Sequence, residues 1–227
     1  HKSRARLMER LIDRIAVVFP FEQSYFNNAE FIGHPLLDVP APAVDADLAA
    51  SPTVALLPGS RRNEIARHFP ILARTAELLR DRGYRPVLSM ADSAMLDRFE
   101  GAPCELYSGD VRTLLASSKC AVIKSGTGTL EAALLGLPHV AIYRSSWTSY
   151  WIARMMVDIK YIAMPNILLG KRVVPELIQS DAQPDKIVAA VAALDSAEIK
   201  MEFARLADIL RAGSAARAAE IALSLGS

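Results

Sequence analysis

The sequence predicts an α/β fold in which a Rossmann-like parallel sheet is covered by helices on both faces. Three observations predict this class. Short apolar runs alternate with amphipathic helical segments, these runs are apolar on both faces, and turns containing Gly or Pro follow several of them. The chain has 227 residues with 52% hydrophobic content, which is enough to fill a core, so intrinsic disorder is not expected.

The N-terminal part precedes this alternation. The chain does not begin with Met, and residues 1–14 are typical of the end of a basic amphipathic helix, so we expect a fragment whose beginning is missing. Residues 14–19 and 30–32 are short apolar runs typical of strands. We interpret residues 1–37 as the end of a truncated N-terminal domain. Residues 38–52, rich in Pro, Ala and Asp without periodicity, predict a linker.

Strands and helices alternate after this linker. Residues 53–57 predict a buried strand, and the helix that follows carries apolar residues on one face and stops at Gly83. Pro70 fits the first turn of a helix better than its interior. Further strands are predicted at residues 86–90, 105–107, 120–123 and 139–143, and further helices at 92–99, 110–117 and 127–135. We interpret residues 53–183 as one α/β domain.

The last third of the chain is predicted to be helical. Helices are expected at residues 186–194, 198–211 and 215–225, and residues 184–227 are interpreted as a C-terminal helical tail.

Charge and cysteine usage exclude several classes of function. Lys and Arg number 26 against 25 Asp and Glu, so the net charge of +1 gives no general attraction to nucleic acid, and no such partner is expected. The chain has two cysteines, Cys104 and Cys120, whose spacing predicts neither a zinc site nor a disulfide framework and fits the cytoplasm.

Membrane attachment at a surface stays open. No apolar run approaches the roughly 20 residues that span a bilayer. Residues 147–157 combine aromatic residues, Met and Arg, which is compatible with a helix at a lipid surface. A core or dimer helix is at least as compatible with the same composition.

The turn at residues 124–129, Lys-Ser-Gly-Thr-Gly-Thr, is suited to phosphate. It follows a buried strand and opens a helix, which presents backbone N–H groups and the positive helix end. The third glycine of a dinucleotide fingerprint is replaced by Glu131, whose carboxylate could accept hydrogen bonds from ribose hydroxyls. The pattern favours one nucleoside diphosphate, with a plain tight turn and a solvated Glu131 as the alternative.

Residues 58–64, Pro-Gly-Ser-Arg-Arg-Asn-Glu, form a second turn of this kind. The Arg61 guanidinium could bind phosphate oxygens with two hydrogen bonds. The alternative is that Arg61 and Arg62 are ordinary surface charges near Glu64.

Other candidate sites are weaker. His34 and His139 are not at metal-ligand spacing, and no Gly-x-Ser-x-Gly nucleophile motif occurs, so both histidines are expected to be structural. Because no paired carboxylates follow a strand, we expect no metal site for a diphosphate.

The chain closely resembles the C-terminal domain of the bacterial lipid-A-disaccharide synthase family. The resemblance rests on three linked motifs, LLPGSRRNEI, KSGTGTLEAALLGLPHVAIYR and MPNILLGKRVVPELIQ. FPFE and FIGHPLLD resemble the segment just before that domain, so the resemblance covers nearly the whole chain in the right order.

This resemblance implies the C-terminal half of a two-domain glycosyltransferase B fold, with residues 53–183 as its nucleotide-sugar-binding domain. It implies an inverting enzyme, without cofactor or metal, that joins UDP-2,3-diacylglucosamine to 2,3-diacylglucosamine 1-phosphate and releases UDP. The catalytic base is expected in the N-terminal domain. The implied nucleotide-binding residues are Gly59, Ser60 and Arg61 on the phosphate side, with Arg61 stabilising the leaving group; Ser125, Gly126 and Thr127 in the diphosphate turn; and Glu131 at the ribose. Asn166 is implied to bind the donor.

Two other functions stay open. One is a UDP-N-acetylglucosamine 2-epimerase or another UDP-sugar glycosyltransferase of the same fold, because a fold alone does not fix function. The other is a non-catalytic nucleotide-binding or assembly fragment. We expect a cytoplasmic location and leave open both peripheral attachment at the inner membrane and a homodimer.

Overall fold

The computed structural model describes residue 7 and residues 11–90, 93–145 and 160–225. The chain divides into two compact units. The smaller unit combines His1–Ala41 with Ala204–Ser227, and the larger one is Pro42–Phe203.

The elements in chain order are as follows. The strands are β1 (Ile15–Val17), β2 (Ala29–Phe31), β3 (Thr53–Leu57), β4 (Arg85–Ser89), β5 (Glu105–Tyr107), β6 (Cys120–Lys124), β7 (His139–Tyr143) and β8 (Glu176–Ile178). The α-helices are α1 (Ala46–Ala49), α2 (Arg62–Arg80), α3 (Val111–Ala116), α4 (Thr127–Leu134), α5 (Met164–Leu169), α6 (Pro184–Ala192), α7 (Ser196–Leu210) and α8 (Ser214–Leu225). Short 3₁₀ helices cover Pro20–Tyr25, Pro35–Leu37, Ser93–Phe99 and Gln179–Asp181.

The smaller unit joins β1 and β2 in a parallel pair and ends in α8. Asp38 caps α8, because its carboxylate accepts hydrogen bonds from Ser214 Oγ and from the backbone N–H groups of Gly213 and Ala215. The hydrogen bond from Ser214, followed by those from the backbone, lowers the pKa of Asp38. Segments distant in the sequence thus form one unit through a side-chain cap.

The larger unit is built on one parallel sheet with the strand order β5-β4-β3-β6-β7-β8. The chain starts at β3, extends outward through β4 and β5, and returns to place β6 on the other side of β3. The switch point of the sheet therefore lies between β3 and β6, where Leu57 is opposite Ile123. In open parallel sheets this is where ligands bind.

Helices cover both faces of this sheet. Val54 and Leu56 of β3 are fully buried in a core layer that contains apolar residues of α2 and α6. Ala55 and Leu57 point to the other layer, with apolar residues of α3 and α4. The period-two alternation along a strand thus supplies two cores, as buried parallel strands require. The predicted fold class is confirmed.

The prediction for Pro70 is wrong. Pro70 lies inside α2, which begins at Arg62. An interior proline removes one helix hydrogen bond and costs about 3 kcal/mol. The helix continues through it because Leu72, Ala76 and Leu79 are fully buried against the sheet, and each buried Leu contributes about 1.5–3 kcal/mol.

Three short elements, α1, α5 and β8, were not predicted from the sequence. The predicted linker contains α1, where Asp45 Oδ1 accepts hydrogen bonds from the N–H groups of Asp47 and Leu48 at 3.0 and 3.2 Å. Leu48 is buried, which anchors this turn of helix. The predicted C-terminal tail also divides, since Ile187 of α6 belongs to the core of the larger unit. The short β8 and α5 gave no periodic signal.

Candidate functional site

A cavity of about 650 Å³ opens at the carboxyl ends of β3 and β6. It lies at the switch point of the sheet. Residues 58–61 line one side of it, and Lys124 with residues 126–128 line the other. Three carboxylates, those of Glu64, Asp110 and Glu131, complete the charged lining. The fold therefore brings together the two phosphate-suited turns.

The first turn joins β3 to α2 and requires glycine at its second position. Gly59 has a φ of +104°, in the left-handed region that favours glycine. A Cβ at this position would lie 2.5 Å from Glu64 Oε2 and 2.9 Å from Glu64 Cβ. The turn thus holds its backbone directly against the Glu64 side chain.

Glu64 binds cations from both turns. Its Oε1 accepts hydrogen bonds from Lys124 Nζ at 2.8 Å and from Arg61 Nη1 at 3.3 Å. The side chains of Glu64 and Lys124 are 18% and 15% exposed, whereas that of Arg61 is 81% exposed. Burial raises the pKa of Glu64, but the hydrogen bond and charge of Lys124, together with Arg61, lower it below its usual range. Glu64 is therefore an ionised carboxylate at neutral pH.

The second turn joins β6 to α4 and is built from small residues. Ser125 Oγ donates a hydrogen bond to the Ile162 carbonyl, and Thr129 Oγ1 donates to the Gly126 carbonyl, both at 2.7 Å. No side chain among the described residues caps α4 at Gly126. The positive end of α4 therefore meets the cavity with its first amides uncapped, which suits an anion.

The predicted residues of the two turns differ in their access to the cavity. Ser60 and Thr127 line it, as Gly126 does. Ser125 is buried with its hydroxyl directed to a backbone carbonyl, so this side chain fixes the shape of the turn.

Glu131 lies one turn into α4 and lines the cavity with its side chain 20% exposed. Its Oε1 is 3.6 Å from Arg112 Nε, beyond hydrogen-bond distance. Burial raises the pKa of Glu131, the charge of Arg112 lowers it, and Asp110 raises it further, with a net increase. The carboxylate is loosely paired and keeps acceptor capacity for ligand hydroxyls.

Asn166, which is predicted to bind the donor, lies outside the lining of this cavity. It is fully buried, and its side chain makes four hydrogen bonds. Nδ2 donates to the Val174 carbonyl and to Glu176 Oε1, while Oδ1 accepts from the N–H groups of Val173 and Val174, at 2.7–2.9 Å. Because this uses the full capacity of an amide, Asn166 holds the segment before β8 and does not reach the cavity.

His68 is a buried residue near the site that sequence reasoning missed. Its Nε2 accepts a hydrogen bond from the Arg144 N–H at 3.0 Å, and its Nδ1 lies 2.7 Å from the Glu64 carbonyl oxygen. Nδ1 therefore carries the proton, and burial lowers the pKa of His68. The ring links α2 to the end of β7. Its spacing of four residues from Glu64, which places both side chains on one face of α2, could have indicated this position.

His34 and His139, the two histidines expected to be structural, contact backbone and aromatic groups away from the cavity. His34 Nδ1 accepts a hydrogen bond from the Leu36 N–H at 3.2 Å. His139 is fully buried, stacks on Phe203 with ring centroids 5.5 Å apart, and has its pKa lowered to about 4 by burial.

Within the described parts of the chain, His, Cys, Asp and Glu side chains do not gather in groups of three that could hold a metal ion. None of the helices there combines the length and apolar character needed to cross a bilayer. The segment 147–157, with its proposed lipid-surface or dimer helix, lies outside the described residues.

A parallel sheet covered by helices, with an anion-suited cavity at its switch point, defines a ligand-binding α/β protein of the doubly wound class. The particular family follows from comparison with known ones. The family model described as lipid-A-disaccharide synthetase matches residues 1–214, and the chain belongs to this family. The family resemblance seen in the sequence is confirmed.

Relatives named lipid-A-disaccharide synthase come from several bacteria. The one from Syntrophus aciditrophicus is 38% identical over 99% of this chain and 66% of its own length. Those from Anaeromyxobacter dehalogenans and Geobacter metallireducens are 36% and 39% identical, over 92% and 83% of this chain and 60% and 54% of theirs. The chain thus spans about 60% of the length of these relatives.

Solved structures agree on the fold. CalG4, the calicheamicin glycosyltransferase, is similar with a TM-score of 0.64 and 21% identity, over 94% of this chain and 54% of that one. A mutant of S. aureus TarM in complex with UDP is similar with a TM-score of 0.56 and 16% identity, over 100% of this chain and 47% of that one. At these identities the likeness concerns the glycosyltransferase B-like fold alone.

Proposed function

We propose that this chain is the UDP-binding part of an inverting glycosyltransferase that makes the lipid A disaccharide. The donor would be UDP-2,3-diacylglucosamine, the acceptor 2,3-diacylglucosamine 1-phosphate, and the products the disaccharide and UDP. One observation carries the proposal: in a chain of this family, two turns and an uncapped helix end converge on one cavity at the sheet's switch point.

The nucleotide would bind along this cavity. The diphosphate would lie against Gly126 and Thr127 at the positive end of α4. The residues of the first turn, Gly59, Ser60 and Arg61, would lie on its other side. A carboxylate one turn into α4 is suited to the ribose hydroxyls, so Glu131 is assigned to the ribose.

The proposed reaction is a direct displacement at the donor C1. The acceptor hydroxyl oxygen attacks C1, the bond from C1 to the UDP oxygen breaks, and UDP leaves with the electron pair. A carboxylate base would take the hydroxyl proton. We propose that this base belongs to the part of the relatives that the chain does not cover. Arg61 would stabilise the charge that develops on UDP.

Asn166 and Ser125 would act indirectly. Asn166 fixes the segment before β8, and Ser125 fixes the turn that opens α4. Their substitution should lower stability more than affinity for the nucleotide. We also propose that the enzyme that contains this chain associates peripherally with a membrane surface and forms a homodimer.

Two assays test this function. Calorimetric titration of the 227-residue chain should show saturable binding of UDP, with UMP weaker because it lacks the second phosphate. Incubation of the chain alone with radiolabelled donor and acceptor should give no disaccharide, because the proposed base is contributed from elsewhere. Absence of UDP binding by a folded chain would contradict the nucleotide role, and disaccharide formed by the chain alone would contradict the assignment of the base.

A further inference from the structure

Lys124 is a largely buried cation at the start of the second turn. It ends β6, lines the cavity, and keeps only 15% of its side chain exposed. Lysine is rarely so buried unless it is paired, and here its partner is Glu64, 2.8 Å away and 60 residues distant in the sequence. The pair joins the two turns across the switch point.

The ammonium group also lies at the start of α4. A Cβ placed on Gly126 would be 3.5 Å from Lys124 Nζ. Gly126 is the residue that precedes the helix, and no described side chain caps it. Two positive features, a lysine charge and a helix N-terminus, therefore coincide at one point of the cavity.

The start of α2 is different, because Glu64 already occupies it. The Glu64 carboxylate belongs to the first turn of α2 and pairs with the Arg61 guanidinium. An anionic ligand would meet a carboxylate at that end. The favourable position for an anion is therefore the α4 end, beside Lys124.

The charges that line the cavity agree with this. The cations among them are Arg61 and Lys124, and the carboxylates are Glu64, Asp110 and Glu131. A diphosphate, which brings at least two negative charges, is therefore favoured beside the two cations and not elsewhere in the cavity. A diphosphate beside Lys124 would convert the pair with Glu64 into a three-membered group of alternating charge. Glu64 would then hold the Lys124 ammonium in place, and one N–H group of that ammonium would donate a hydrogen bond to the ligand.

We propose that Lys124 binds the diphosphate directly and that Glu64 is a positioning residue that holds the Lys124 ammonium at the start of α4. This inference rests on the proposed function for the identity of the nucleoside, but the diphosphate contact itself does not depend on uracil or on the sugar. Lys124 is not among the nucleotide-binding residues that the family resemblance implies, so this role is new.

The test measures affinity of the 227-residue chain for UDP and for inorganic pyrophosphate by calorimetry. Lys124→Met should weaken both by about tenfold or more, since a charge-assisted hydrogen bond is lost. Glu64→Ala should also weaken both, by about threefold or more, because the ammonium loses the carboxylate that holds it, and unchanged affinity in this variant would remove the positioning role. Glu64→Gln should restore affinity to within about threefold of the unsubstituted chain, because the amide oxygen can still accept from the ammonium. Lys186→Met is the matched control: Lys186 pairs with Asp181 away from the cavity, and it should change nothing.

The double variant Lys124→Met/Glu64→Gln distinguishes direct binding of the diphosphate by Lys124 from neutralisation of the Glu64 charge by Lys124. If Lys124 touches the diphosphate, the double variant stays as weak as Lys124→Met. Restored affinity would mean that Lys124 only cancels the Glu64 charge, and would overturn the inference. Thermal unfolding of each variant confirms that it is folded; should Lys124→Met unfold, Lys124→Gln replaces it under the same criteria.

The ligands distinguish the two proposals. Binding of pyrophosphate that depends on Lys124, without binding of UDP, would support the inference and contradict the proposed function. Binding of UDP with an unchanged affinity in Lys124→Met would do the reverse. If the folded chain bound neither ligand, both would be overturned.

Discussion

The two turns at the switch point occupy equivalent positions but treat an anion in opposite ways. Each follows one of two adjacent parallel strands and opens a helix. The first helix, α2, begins beside its own carboxylate, Glu64, which faces the backbone of Gly59. The second helix, α4, begins at Gly126 without a side-chain cap and with Lys124 close by.

This difference indicates a division of labour. The first turn places the carboxylate of Glu64 at the start of its helix, and this carboxylate holds two cations, Arg61 and Lys124. The second turn leaves its helix end for the ligand. A similar sequence pattern after a strand therefore does not imply a similar binding role, and the position of the nearest carboxylate decides which turn accepts the phosphate.

The largest expected effect is at the crowded turn. Gly59→Ala combines an unfavourable φ of +104° with a Cβ that would overlap Glu64, so unfolding measured in urea should show a loss of about 2–4 kcal/mol. Gly83→Ala is the matched control, with a φ of +80° and no atom within 4 Å, and should lose only about 1 kcal/mol. Equal losses would show that the contact with Glu64 is not restrictive.

The next effect concerns the open turn. Glu131→Ala should weaken UDP binding by about 1–3 kcal/mol, because hydrogen bonds from ribose hydroxyls to a carboxylate are lost. The fold should be spared, since Glu131 is only loosely paired with Arg112. Glu77→Ala, on the surface of α2, provides the control. Unchanged affinity in calorimetry would reject the ribose role.

A smaller effect on turnover is expected at Arg61, the exposed cation of the first turn, and its neighbour Arg62 provides the comparison. In an enzyme that contains this chain, Arg61→Ala should lower kcat by about tenfold and raise KM less, because an interaction with developing charge acts mainly on the transition state. Arg61→Lys should lie between alanine and arginine, since it keeps the charge but not the two-pronged geometry.

Arg62→Ala is the control for that experiment, because Arg62 is exposed and does not line the cavity. Equal loss of kcat in the two alanine variants would assign the effect to general positive charge. Turnover close to normal in a folded Arg61→Ala enzyme would remove its leaving-group role.

Much of this site follows from local sequence. Alternating apolar strands predicted the sheet, and small residues directly after β3 and β6 predicted both turns, because glycine and helix-end chemistry depend on neighbouring residues. Pro70 was misplaced since tertiary packing outweighs its local preference.

The pairings across the site could not be predicted in this way. The contact between Glu64 and Lys124 depends on β3 and β6 being neighbours, which the order of elements along the chain does not specify. Asn166 matched a family motif, yet its four hydrogen bonds depend on how the backbone at Val173 and Val174 returns to it. Residue type indicated polarity at these positions, and only the fold determined the partner.

The smallest expected effect compares the carboxylates of the two turns. Lys124 and Arg61 lower the pKa of Glu64 against the effect of burial, whereas burial raises the pKa of Glu131. A carboxyl with a lowered folded pKa contributes stability above its unfolded pKa of about 4.5, and this is lost as pH falls through the folded value. A carboxyl with a raised folded pKa has the opposite sign and destabilises the fold as pH rises above about 4.5.

At pH 7 and without ligand, Glu64→Gln should therefore lower the free energy of unfolding by up to about 1 kcal/mol, while Glu131→Gln leaves it unchanged or slightly raises it. Carboxyl carbon NMR titration, with each glutamine variant assigning one resonance, should show Glu131 protonating first as the pH is lowered. Protonation in the reverse order would mean that Glu64 is not the better paired carboxylate. The contrast between the first turn, whose own carboxylate is ionised and paired, and the second turn, whose helix end is open to an anionic ligand, would then no longer hold.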